Sequence, residues 1–235
     1  MKIEVYVIAH NEEYMLPYTI RHYSQFADVI VLENNSTDRT VEFAKSMGAK
    51  VIELDVPDHK DNQTLVDIKN ECWKGSKADW VIVIDTDEFI YHPDLIKILN
   101  ETNATIMKST WCEMYSDTIP HEDGQIYDEV KTGLVRSRGR AKLAIFRPDR
   151  INEMNWTVGC HQASPEGEVI YEDYGAKTLH YRHLSLEYVL MRNRINSARL
   201  SKNNRAMGWS TQYDQSVAHV TKGFTESLLA STKIL

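Results

Sequence analysis

Apolar and polar positions follow two alternating rhythms along the first hundred residues. The largely apolar run Ile3–Ala9 predicts a strand, Glu12–Gln25 has a helical pattern, and Asp28–Glu33 predicts a second strand. Thr37–Met47 predicts a helix, begun by Ser36 and Thr37 as caps and closed by Gly48. Ala49–Leu54 follows as a strand, Leu65–Lys74 as a helix ended by Gly75, and Trp80–Ile84 as a fully apolar strand. A βαβαβαβ order predicts a parallel sheet with helices on both faces.

Beyond residue 100 the rhythm changes. Ala104–Tyr115 predicts a long strand and Asp117–Glu129 a polar loop containing Pro120 and Gly124. Shorter strand-like runs follow at Lys142–Phe146 and Lys177–Tyr181. Leu186–Arg205 has the length and period of one helix, with Leu186, Val189, Leu190, Ile195, Ala198 and Leu200 apolar and Arg192, Arg194, Arg199 and Arg205 polar. No internal repeat or low-complexity segment interrupts the chain. The expectation is one α/β domain over 1–235, with a ligand-binding half at 1–100 and a substrate-facing half at 101–235.

Composition agrees with that picture. A chain of 235 residues with 42% hydrophobic and 26% charged positions reads as a soluble globular protein and excludes disorder, collagen and coiled coil. Cys72, Cys112 and Cys160 are odd in number and widely spaced, which fits free thiols in a reducing compartment. No run approaches the ~18 apolar residues of a membrane span, and Ile3–Ala9 is too short for a signal-peptide core. A cytoplasmic location is expected. The net charge of −7 is unevenly spread: residues 1–130 carry 25 Asp+Glu against 11 Lys+Arg, and residues 131–235 carry 9 against 16. An acidic half able to host a cation beside a basic half able to meet an anion suits a metal-bridged phosphate ligand, and the acidic total disfavours nucleic acid.

Three polar clusters follow successive strands. Asp85-Thr86-Asp87-Glu88 comes directly after Trp80–Ile84, where open parallel sheets bind ligands at the carboxyl ends of their strands. Acids packed this closely repel unless a cation or donors sit between them, and Mg²⁺ or Mn²⁺ held by carboxylates and substrate phosphate suits the arrangement. A capped turn with solvated acids is the alternative. Val31-Leu32-Glu33-Asn34-Asn35-Ser36-Thr37-Asp38-Arg39-Thr40 also ends a strand and opens a helix, whose free N–H groups can address a polar ligand. Capping explains Ser36, Thr37 and Asp38 but not Glu33 and Asn34. Ala9-His10-Asn11-Glu12-Glu13 is the third cluster.

In combination, IAHNEEYMLPYTI, VIVLENNSTDRTVEFA, the pair Lys69-Asn70 and WVIVIDTDEF resemble the nucleotide-sugar half of GT-A-fold, family 2-type glycosyltransferases. The resemblance covers roughly residues 3–100. It implies a GT-A-like, Rossmann-like, mostly parallel sheet flanked by helices, with an irregular acceptor half and C-terminal helices. It also implies transfer of a sugar from a nucleoside-diphosphate donor, a UDP-sugar, to a glycan or lipid-linked hydroxyl, with inversion and with Mn²⁺ or Mg²⁺. Residue by residue, Glu33 would bind the nucleobase, and Ala9, His10 and Glu12 would line the nucleoside pocket. Lys69 would face the diphosphate. Asp85 and Thr86 would stand at the donor, with Asp85 on the ribose or a metal-bound water, and Asp87 and His180 would ligate the metal. Glu33-Asn34 departs from the family's Asp-Asp and Lys69 from its Arg, which keeps the charge but loses the forked geometry.

The acceptor's base is the open role. Gly159-Cys160-His161-Gln162 stands where relatives carry a His-Glu pair, so His161 is the first candidate, followed by Glu166 and Asp117. Trp111, Tyr115 and Trp156 offer stacking faces for sugar, although strand aromatics usually pack in cores. Zinc at Cys160, His161, His180 and His183 lacks paired ligand spacing. A sugar nucleotidyltransferase would need a Gly-rich basic first loop that is absent here, and a non-catalytic nucleotide-sugar or glycan-binding module is the other reading. The arginines of Leu186–Arg205 could also meet an anionic membrane surface.

Overall fold

A computed structural model describes residues 1–136 and 142–235. Its first half runs β1 (Ile3–Ala9), α1 (Leu16–Tyr23), β2 (Asp28–Glu33), α2 (Thr40–Ser46), β3 (Lys50–Glu53), α3 (Asn62–Glu71) and β4 (Trp80–Asp85). There follow β5 (Glu88–Tyr91), α4 (Leu95–Glu101), β6 (Ile106–Ser116), α5 (Ile126–Glu129), β7 (Thr132–Val135), β8 (Ile145–Phe146) and β9 (Ile151–Glu153). The chain ends with β10 (Glu166–Gly167), β11 (Tyr171–Leu184), α6 (Leu186–Arg199), α7 (Lys202–Met207), a 3₁₀ turn at Thr211–Asp214, α8 (Val217–Ala230) and β12 (Thr232–Lys233).

The main sheet has the order β12-β7-β6-β8-β4-β1-β2-β3, with β11 and β5 attached through β6. β1, β2, β3 and β4 are all parallel, as the βα alternation predicts. Side chains alternate across the sheet. Val5 and Val7 pack with Leu16, Ile20 and Tyr23 on one face, while Tyr6, Ile30 and Leu32 pack with Val66 and Trp73 on the other. Each such fully buried side chain contributes about 1.5–3 kcal/mol, so the helices are fixed to both faces. The expected architecture is the one the chain adopts.

Several boundaries differ from the periodicity, and hydrogen bonds explain why. α1 starts at Leu16 and not Glu12 because the preceding loop spends its N–H groups on the loop after β2. Asn11 N donates to Ser36 Oγ at 3.0 Å, Glu12 N to Thr40 Oγ1 at 2.7 Å and Glu13 N to Asp38 Oδ2 at 3.2 Å. The same bonds hold residues 36–39 out of α2. α3 starts before Leu65, since Asp61 accepts from Gln63 N and Thr64 N at 3.0 Å. The single helix expected over Leu186–Arg205 breaks at Leu200, where Lys60 N donates to Arg199 O and Ser201 N to Lys60 O, and Ser201 caps α7 through Asn204 N. β11 is 14 residues long because it pairs with β6 in parallel and with β5 in antiparallel fashion, support that lies far away in sequence.

Candidate active site

The carboxyl ends of β1, β2 and β4 open onto a cleft of about 780 Å³. The turn from β4 to β5 forms its floor and carries the acidic string. Asp85, last in β4, accepts from Lys69 on α3 through Oδ1 and from Lys142 at 2.6 Å through Oδ2. Lys142 also contacts Glu88, and the two lysines are only 6% and 5% exposed. Burial pushes the Asp85 carboxyl up, but the two ammonium groups outweigh it and hold the group well below its ordinary range. For Glu88 burial dominates over Lys142 and raises the carboxyl.

Asp87 faces a different partner. Its Oδ2 lies 3.2 Å from His180 Nε2, and His180 Nδ1 lies 2.9 Å from Glu113 Oε2, whose other oxygen accepts from Trp111 Nε1 at 2.8 Å. Strand register builds this row, because His180 on β11 stands opposite Glu88 on β5 and Glu113 on β6. Burial disfavours the charged imidazole, yet Asp87 and Glu113 raise His180 well above its ordinary value. Asp87 is pushed up by burial and, more strongly, down by His180. Asp87, Glu88 and His180 each offer a ligand atom within 4.8 Å of the others, a mixed oxygen and nitrogen set that fits a hard divalent cation. Glu113 behind His180 supplies the carboxylate that fixes the ring and its tautomer in such sites.

The opposite rim joins the first loop to the C-terminal helices. His10 Nδ1 lies 2.6 Å from Asn34 O. Arg192 on α6 bonds Glu12 and donates to Asn11 O at 2.5 Å. Burial raises Glu12 to about 7, against the pull of Arg192. Lys60, Arg182 and Tyr213 complete this side of the wall.

Of the residues singled out in the sequence, His10, Glu12, Lys69, Asp85, Thr86, Asp87, His161 and His180 line the cleft. Others do not. Ala9 has no exposed surface and packs in the core. Glu33 is 7% exposed and turns its carboxylate onto Ser36 N, so its side chain serves the loop that opens α2 and is absent from the wall. Glu166 lies in the small β9–β10 ribbon, where it accepts from Asn155 at 3.0 Å, and Asp117 is exposed beyond the end of β6. Neither lines the cleft, which leaves His161, edge-on to Trp111 at 5.5 Å, as the base candidate that does. Asp85, expected at the ribose, a metal-bound water or the metal, has each of its oxygens bonded by a lysine. Tyr115 and Trp156 belong to the core, and only Trp111 of the three aromatics reaches the cleft. Arg192, expected on a solvated or membrane-facing helix surface, points into the protein.

Lys142, Glu113 and Arg192 were not found as site residues from sequence. A lysine heading the otherwise apolar Lys142–Phe146 run was a usable signal for a buried charge in need of partners. Glu113 and Arg192 gave none, because their partners lie 67 and 180 positions away.

The Glycosyl transferase family 2 model matches residues 4–156. An uncharacterized glycosyltransferase of Rickettsia typhi is 39% identical over 88 residues, 37% of this chain and 28% of that protein. A 4,4'-diaponeurosporenoate glycosyltransferase of Staphylococcus haemolyticus is 34% identical over 91 residues, 36% of this chain and 24% of that protein. These matches span about a quarter of the curated relatives' length. Among solved structures, glucosyl-3-phosphoglycerate synthase from Mycobacterium tuberculosis, in complex with Mn²⁺, UDP and glucosyl-3-phosphoglycerate, is 26% identical. That match covers 47% of this chain and 44% of the other, with a TM-score of 0.35. Among the described residues no helix is long and apolar enough to cross a membrane.

Proposed function

The chain belongs to glycosyl transferase family 2, and from that premise we propose that it transfers a sugar from a nucleoside-diphosphate donor, a UDP-sugar, to a hydroxyl of a glycan or lipid-linked acceptor, with inversion. The observation that carries this reading is the Asp87–His180–Glu113 row set in a cleft at the carboxyl ends of a parallel sheet.

Asp87 and His180, with Glu88, would hold Mn²⁺ or Mg²⁺, which supplies Lewis-acid stabilisation of the departing diphosphate. Glu113 orients His180 for that task. Lys69 and Lys142 keep Asp85 ionised and fixed in direction, which suits a hydrogen bond from a ribose hydroxyl. His10 and Asn34 offer polar atoms to the nucleoside from the loops after β1 and β2. His161 takes the proton of the attacking acceptor hydroxyl, and Trp111 packs edge-on against it and helps to hold its ring.

A thermal-shift panel of UDP, GDP, CMP and TDP, each with and without Mn²⁺, tests the reading. Stabilisation by UDP only with Mn²⁺ is the expected result, since ligand at a hundred times its Kd adds about 2.7 kcal/mol to the folded state. Asp87→Asn is expected to lose the metal-dependent shift, measured from its own melting point without ligand. Absence of any nucleotide shift in the wild-type chain would overturn the donor reading, and donor turnover separates a transferase from a binding module.

A further inference from the structure

Most cations on the cleft wall are already matched. Lys69 and Lys142 bond Asp85, His180 lies between Asp87 and Glu113, Arg192 pairs with Glu12, and Arg199 with Asp58 at 3.0 Å. Lys60 and Arg182 differ: among the described residues neither has a carboxylate partner. Both are half-buried on the wall, and both sit over the ring of Tyr213, at 4.9 Å and 5.1 Å from its centroid. Neutral groups hold them in place. Lys60 Nζ donates to Asn196 Oδ1 at 2.9 Å, and Arg182 Nη2 donates to Asn193 Oδ1 at 3.4 Å.

The local potential is positive. Burial alone raises a phenol, yet Lys60 and then Arg182 bring Tyr213 below its ordinary value. Holding two cations at one ring inside a cleft, with Glu12 and Asp87 acting on the group only through space and no carboxylate among the described residues bonded to either cation, costs repulsion and desolvation that a bound anion would offset. The placement also matters. Arg182, Asn193, Asn196 and Tyr213 lie beyond residue 156, outside the segment that the family model matches, while Lys60 lies within it.

We propose that Lys60 and Arg182, arranged about Tyr213, bind an anionic group, a phosphate or carboxylate, carried by the acceptor. The acceptor would then be an acidic molecule. Arg182 provides a forked donor and Lys60 a compact point charge, a pair suited to a tetrahedral or planar anion on the cleft wall. This inference rests on the transferase reading for the word acceptor, whereas the anion site itself does not.

An NMR titration with inorganic phosphate tests it, on the free chain and on the chain saturated with UDP and Mg²⁺. The expected result is saturable phosphate binding near Tyr213 in both forms, weakened at least about tenfold in Lys60→Gln and in Arg182→Gln. Each variant's amide spectrum shows whether it remains folded, and the two substitutions lie on different elements, so a folding failure in one leaves the other informative. Unchanged phosphate affinity in the folded variants would overturn the proposal. Displacement of phosphate by UDP and Mg²⁺ would also overturn it, by assigning the pair to the donor's diphosphate. Phosphate binding that depends on both residues, in a chain that ignores UDP, would support the anion site and count against the donor reading instead.

Discussion

Residues up to Glu101 lay down four parallel strands from nearly contiguous sequence, whereas the half from Ile106 onward joins the same sheet through antiparallel insertions and one strand that pairs in both senses. The first half carries four acids of the cleft, Glu12, Asp85, Asp87 and Glu88, whereas the second adds Glu113 and brings much of what makes their burial tolerable. Lys142 reaches Asp85 and Glu88, Arg192 reaches Glu12, and Ser201 reaches Asp61. A half that folds by local rules therefore depends for its charge balance on a half that does not. The family model stops at residue 156, so Arg192 and Ser201 lie outside the matched segment and Lys142 within it.

Removing each of these three ties measures the dependence, beginning with the strongest. Lys142→Met leaves Glu88, which is 1% exposed, without its buried counter-charge and frees one oxygen of Asp85. Breaking a buried pair in this way is expected to destabilise the fold by about 3–5 kcal/mol in urea unfolding. A loss under 1 kcal/mol would mean that the first half balances its own acids.

Arg192 and Glu12 give a weaker tie with a signature in pH. Burial raises Glu12 from its ordinary 4.5 to about 7, so between those values the folded chain holds a proton that the unfolded chain has released. The stability this group contributes is complete below about pH 4.5 and is lost as the pH rises through about 7. The swing is up to about 3 kcal/mol. Glu12→Gln is expected to flatten the unfolding free energy across that window, and an unchanged slope would place the titration elsewhere.

Ser201→Ala is the mildest change. It removes a 2.6 Å bond to Asp61 and the cap on α7, at an expected cost of about 1 kcal/mol in thermal unfolding. The loss should be accompanied by faster amide exchange in α7 than in α3, because α3 keeps its own cap from Asp61 to Gln63 and Thr64.

The same division explains what could be read from the amino acids. β1 and β2 run from the first to the last residue that the periodicity indicates, because a buried parallel strand writes most of its length in apolar side chains. Asp85, Thr86 and Asp87 were found because the fold places strand ends at the cleft. Which oxygens of that string the lysines occupy was not readable, since Lys142 lies 57 positions beyond Asp85. Glu33 is a related case. Its position at a strand end is right, but its orientation is decided by Ser36 N, a neighbour three residues on that bonds the carboxylate. β11 was seen as five residues of 14, since Tyr171–Ala176 has no apolar run and is a strand only because β6 lies beside it.

The row formed by Glu88, His180 and Glu113 across β5, β11 and β6 also bears on how molecules that misfold are disposed of. Because neighbouring strand residues point to opposite faces, sliding β11 by one position would turn His180 away from Asp87 and at the same time pull Leu179 and Tyr181 out of the interior. A well-packed but inert impostor is thus excluded by the pairing itself. A chain that has lost the His180–Asp87 contact by misregistration has also exposed the greasy residues that chaperones and proteases recognise, so in a cell the surviving population and the correctly paired population would be nearly the same set of molecules.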